Sequence, residues 1–104
     1  MANRIDLHNK LRSLLGGSSN VYFQPPESLL LKYPCIVYKL STTPTTFADD
    51  KVYKFTRGYD VTYITRDPDD DMIDQMFELF QNKVRYDRSF ASDNLNHYVF
   101  TVYN

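Results

Sequence analysis

Apolar positions along the first fifteen residues recur at helical spacing. Ile5, His8, Leu11 and Leu15, with Leu7 and Leu14 beside them, are three and four residues apart and predict a helix over 1–16. Asn3 or Asp6 can cap or charge its first turn. Gly16 and Gly17 end it, since glycine takes the left-handed conformation at no steric cost. The period then changes from helical to alternating. "VYFQ" is a short strand candidate, stopped by Pro25 and Pro26. From Tyr33 to Leu40 the chain places Ile36, Tyr38 and Leu40 on one face and Cys35, Val37 and Lys39 on the other. Both faces are mostly apolar, which predicts a central strand with Pro34 as its first residue. After Gly58, "YDVTYIT" alternates again, with Tyr59, Val61 and Tyr63 on one face and Asp60, Thr62 and Ile64 on the other.

"RDPDDDMIDQMFELFQNK" returns to helical spacing. Met72, Ile73, Met76, Phe77 and Phe80 form its apolar stripe. Asp67 reads as the N-cap and Pro68 as the first helical residue, with Asp69, Asp70 and Asp71 in the turn where the helix dipole favours negative charge. "VRYDRSF" and "HYVFTVYN" are strands joined through "ASDNLN", whose Asp93 and Asn94 favour a turn, so the chain closes on an antiparallel hairpin. Residues 41–57, "STTPTTFADDKVYKFTR", are long, polar and Thr-rich. They read as a long loop or a hairpin arm with "KVYKF" as its return strand. The expected fold is therefore α+β. A largely antiparallel sheet of about four strands carries two packed helices and the arm, in one domain spanning 1–104.

Composition narrows the function classes. Twelve basic and 13 acidic residues leave a net charge of −1. Tight nucleic-acid binding draws on clustered Lys and Arg to neutralise phosphates, and no such cluster is present. Nine Tyr and seven Phe with no Trp suit either a Tyr-rich sheet or a protein that touches other proteins. The lone Cys35 excludes an internal disulfide and reads as a small buried hydrophobe. No apolar run is long enough to span a membrane, and the N-terminus lacks the continuous apolar core of a secretory signal. The expected setting is a reducing cytoplasm.

Candidate chemistry is sparse. P-loop, GxGxxG and HExxH patterns are missing, and two histidines with one cysteine do not build a convincing zinc site. Consecutive helical residues point about 100° apart, so Asp69, Asp70 and Asp71 cannot converge on one ion. His97 with Asp93 is the nearest approach to an acid–base pair. His97 and Cys35 would pair as base and nucleophile only if the sheet brought them together. The reading adopted for His97 is a strand-edge histidine bonded to backbone or to Asp93, with no catalytic, cofactor or metal site expected.

The blocks "YPCIVYKL", "YDVTYITRDPDD" and "DNLNHYVFTVYN", in this order and at this spacing, resemble a family of small proteins from the structural cassettes of tailed bacteriophages and prophages. These are the tail terminator, tail completion or minor capsid proteins. The resemblance runs from about Val21 to the C-terminus. It implies an α+β subunit of a six-membered ring that caps the tail tube and docks to the head connector, with DNA passing through unbound. It further implies a structural, non-enzymatic role, no cofactor, no membrane, and a place in the virion after assembly in the host cytoplasm. Expected partners are other copies of the chain, the tail tube protein and the head-connector or head-closure protein. Candidate subunit contacts are Phe47, Asp49, Asp50, Lys51, Tyr53, Lys54, Phe55 and Arg57 in the arm, with Tyr98 and Tyr103 in the last strand. A head-closure or neck protein on the portal connector is the nearest alternative. A small intracellular enzyme using His97 and a generic binding module are more distant ones.

Deleting residues 43–54 is expected to leave a folded monomer that no longer forms rings. Circular dichroism and light scattering check this: a collapsed fold, or rings of normal mass, would contradict it.

Overall fold

The computed structural model describes residues 4–41, 58–67 and 70–103. The elements run α1 (Arg4–Leu14), β1 (Val21–Phe23), β2 (Cys35–Leu40), β3 (Gly58–Thr65), α2 (Met72–Phe80), a short 3-10 turn (Gln81–Lys83), β4 (Val84–Ser92) and β5 (Leu95–Tyr103). The strands form one sheet in the order β1-β2-β3-β5-β4. The fold is α+β as expected, with five strands instead of about four. The fifth is "VYF", which pairs parallel to β2, whereas every other pair is antiparallel.

Both helices pack on the same face of the sheet. Leu7 and Leu11 of α1 and Met72, Met76 and Phe80 of α2 meet Ile36, Tyr38, Tyr59, Val61, Tyr63, Phe100 and Val102 in one buried cluster. The α1 stripe is therefore in a different phase from the one read in the sequence. Leu7 and Leu11 are fully buried while Ile5 is 55% exposed. Ile5 precedes Leu7 by two residues, about 200° of rotation, so the two cannot face the sheet together. In α2 the buried line is Met72, Met76 and Phe80 at i, i+4 and i+8, and Phe77 falls on the exposed side.

Local chemistry sets the ends of these elements. Helix α1 closes with paired bonds, Gly17 N–H to the Arg12 carbonyl at 2.8 Å and Gly16 N–H to the Ser13 carbonyl at 3.2 Å. Gly16 and Gly17 sit at φ +67° and +85°, where a side chain would be strained. Helix α2 starts later than expected and Asp67 is not its cap. The Asp67 N–H donates to Thr65 Oγ1, while Asp70 Oδ1 accepts from the Met72 N–H at 2.9 Å. Asp71 occupies the N-cap position, and its carboxylate accepts from the Gln75 side chain. Pro68 and Asp69 lie outside the described residues. The terminal hairpin is tighter than the linker "ASDNLN" suggested. Its strands extend to Ser92 and from Leu95, leaving Asp93 and Asn94 alone in the turn at φ +55° and +63°. Two positive φ angles match the twist of a two-residue hairpin turn.

The second oxygen of Asp70 accepts from the Tyr63 hydroxyl at 2.5 Å. Burial, followed by this hydrogen bond to a carboxylate, holds the Tyr63 phenol well above the usual tyrosine range. One carboxylate thus starts α2 and ties it to β3. Asp70→Ala is expected to cost about 1–3 kcal/mol in urea unfolding, because it removes the carboxylate acceptor of a buried hydroxyl and of the Met72 N–H. Adding Tyr63→Phe should recover part of that loss; strictly additive losses would show that the two groups are not coupled.

Candidate functional site

No described helix or strand packs across the other face of the sheet, the open face, although Cys35, Thr101, Ile64 and Val99 on it are each 9% exposed or less. Strand register arranges that face in rows. Lys39, Asp60, Thr101 and Arg85 form one row across β2, β3, β5 and β4. Val37, Thr62, Val99 and Arg88 form the next, and Cys35, Ile64, His97 and Phe90 the third. The face is charged at one end and apolar to aromatic at the other. Lys39, Asp60, Arg85, Asp87 and Arg88 surround a shallow groove of about 390 Å³ floored by Thr62, Val99 and Thr101.

A bulge organises the charged end. Tyr86 pairs with Phe100 and Arg88 with Val99, so Asp87 has no residue opposite it. Its carboxylate accepts from the Thr101 hydroxyl at 2.6 Å and from Arg85 Nε at 2.7 Å. Arg85 also reaches Thr101 Oγ1 at 3.4 Å. Thr101 is 4% exposed, so its hydroxyl is a buried polar group satisfied by this carboxylate. At the other end the Phe90 and His97 rings stack at 4.6 Å with 9° between planes, and the Arg88 guanidinium lies 5.8 Å from the Phe90 ring.

The predicted site residues fall in three groups. Phe47, Asp49, Asp50, Lys51, Tyr53, Lys54, Phe55 and Arg57 lie outside the described residues, as does the "KVYKF" strand. Tyr98 turns to the helix-covered side, where it stacks on Tyr63 with centroids 6.3 Å apart. Tyr103 lies on the open face, half-buried, beyond Thr101. The two tyrosines therefore belong to opposite surfaces of β5. Cys35 and His97 do share a face, but Ile64 stands between them in the row, and two inter-strand steps are roughly 10 Å. They cannot act as a base–nucleophile pair at that separation. Burial pushes the Cys35 thiol up to about 11, away from the thiolate form. His97 Nδ1 is 3.2 Å from the Leu95 carbonyl, so of the two anchors considered for it the structure uses backbone.

A second polar cluster, missed in the sequence, sits under α1. His8 Nδ1 is 2.7 Å from the Tyr38 hydroxyl, and Arg4 Nη1 donates to the same oxygen at 3.3 Å. The Arg4 guanidinium also lies 4.6 Å from the Phe23 ring centroid. With Arg4 donating to the oxygen, the hydroxyl is free to donate to neutral His8. Burial first, then the charges of Arg4 and Arg12, lowers the His8 pKa below 6.5. Helical spacing marked His8 as part of an apolar stripe; its partner lies 30 residues away, where no local pattern reaches.

A histidine whose folded pKa is depressed binds its proton more readily in the unfolded chain. Its contribution is therefore intact above pH 6.5 and is lost as pH falls from there through the folded value. Thermal melts stepped from pH 7.5 to 5 should show this decline, and His8→Gln should flatten the His8 part of it; an unchanged pH slope in the variant would contradict the assignment. In comparisons with known proteins, no family model, curated protein or solved structure matches the chain.

Proposed function

We propose that this chain is a structural protein of a tailed-bacteriophage particle, a tail terminator whose copies form a ring at the head–tail junction. The observation that carries the reading is where the resembling blocks lie. "YPCIVYKL", "YDVTYITRDPDD" and "DNLNHYVFTVYN" cover β2, β3 from Tyr59 onward, and β5, the three adjacent inner strands of the sheet. The resemblance thus falls on the strands that define the fold and not on scattered loops. Those same strands carry most of the open face. Its exposed charges Lys39, Arg85 and Arg88 stand around apolar groups that are half-buried (Val37) or exposed (Phe90) over a buried floor of Cys35, Ile64 and Val99, a polar rim about an apolar centre of the kind subunit contacts use. A head-to-tail contact that repeats by rotation closes such subunits into a ring. The near-neutral charge suits a channel through which DNA passes without being gripped.

Electron microscopy of phage particles carrying a tagged copy of the chain tests the proposal. Density for a ring of this chain between tail tube and head connector is the expected result. A ring seated directly on the portal would assign it instead to head closure, and its absence from particles would overturn the reading.

A further inference from the structure

The two edges of the sheet are protected very differently. On the β1 side the strand is three residues long, and the chain leaves it through Gln24 at φ +46° and then Pro25 and Pro26. A short strand ended by prolines offers little for another chain to pair with. On the β4 side the strand is nine residues long and lacks proline. Its first half is guarded by the Asp87 bulge, whose carboxylate turns inward to Thr101 and Arg85. Its second half, Arg88–Ser92, pairs regularly with β5 and is exposed along its whole length. Among the described residues, no backbone hydrogen bond outside the hairpin reaches this stretch. Phe90 stands at its centre, 45% exposed although already stacked on His97.

We infer that Arg88–Ser92 is a self-pairing edge, on which the same segment of a second copy adds antiparallel across a two-fold axis through Phe90. The bulge bounds the regular stretch on one side and the Asp93–Asn94 turn on the other, so its midpoint is Phe90. In that register Phe90 faces Phe90 of the second copy on the open face. Arg88 meets Ser92 there, and Ser89 meets Ala91 on the other side. No like charges oppose one another, and the exposed aromatic gains an aromatic partner, the cross-strand arrangement that favours pairing. Two five-stranded sheets become one continuous sheet with β4 at its centre. A segment such as "RSFAS", with small or polar groups placed evenly about one phenylalanine, complements itself in a way that an unrelated strand need not. The contact is isologous and closes on two copies. It is therefore distinct from the head-to-tail contact of a ring and does not depend on the terminator reading.

Sedimentation and light scattering of the isolated chain over a wide concentration range test this. The mass should double as concentration rises, from one chain of 12.3 kDa to two, or from one ring to two where rings have formed. Phe90→Lys places like charges opposite each other and should weaken association more than about tenfold, with an unchanged circular dichroism spectrum. Under mild oxidation Phe90→Cys should form a covalent dimer, because facing residues are about 4.5–5.5 Å apart. Ser92→Cys should not, since the two copies of that residue would be roughly 13 Å apart. A single-chain mass at every concentration would overturn the inference. So would a Phe90→Lys protein that associates normally, or Ser92→Cys cross-linking as fast as Phe90→Cys.

Discussion

Burying tyrosine is the constraint on which this fold turns. Tyr38, Tyr59 and Tyr63 line the face of the sheet that receives the helices, and each is 3% exposed or less. Their rings supply the area that a small core needs. Each ring also carries a hydroxyl into a region where an unsatisfied polar group is costly. Tyr38 finds His8 and Arg4 on α1, and Tyr63 finds the carboxylate that starts α2. Each helix is thus located by a hydroxyl as well as by apolar contact. Among the described residues no buried side-chain nitrogen or oxygen lacks a partner. Apolar packing alone allows a helix to slide or rotate by small amounts; the hydroxyl contacts fix its position along the strand.

Strand alternation was legible because it is local. The faces of β3 and β5 follow directly from period two in the sequence, and β5 proves to be an interior strand, between β3 and β4. Helix phase was less legible. A stripe containing Ile5, His8, Leu11 and Leu15 and one containing Leu7, Leu11 and Leu14 fit almost equally well when apolar residues are this dense. Only the sheet below chooses between them. The start of α2 was misread for a related reason. Several aspartates in a row each offer a plausible cap, and the tertiary partner Tyr63 selects Asp70 as the one that receives the Met72 N–H.

The open face was the least legible part. Lys39, Asp60, Arg85 and Thr101 come from four separate strands, and their row exists only once the order β2-β3-β5-β4 is known. No described helix is long and apolar enough to cross a membrane. The sheet presents two surfaces of different character. One is closed by its own helices; the other is graded from charge to aromatic groups and bordered by a long edge strand. For a protein proposed to work by contact with other chains, that division keeps the determinants of folding apart from those of association.

The Asp87 bulge also bears on how the chain can change in length. Before the bulge, residues on β4 and β5 pair so that Tyr86 meets Phe100; after it, Arg88 meets Val99. Removing the one extra residue would leave every remaining side chain on its present face and opposite its present neighbour. The hairpin can therefore gain or lose this residue without the register slip that a deletion elsewhere in a strand imposes. Asp87 is dispensable to the pairing yet contacts both Thr101 and Arg85. Its presence is a property of the surface it decorates, laid over a strand pairing that would be complete without it.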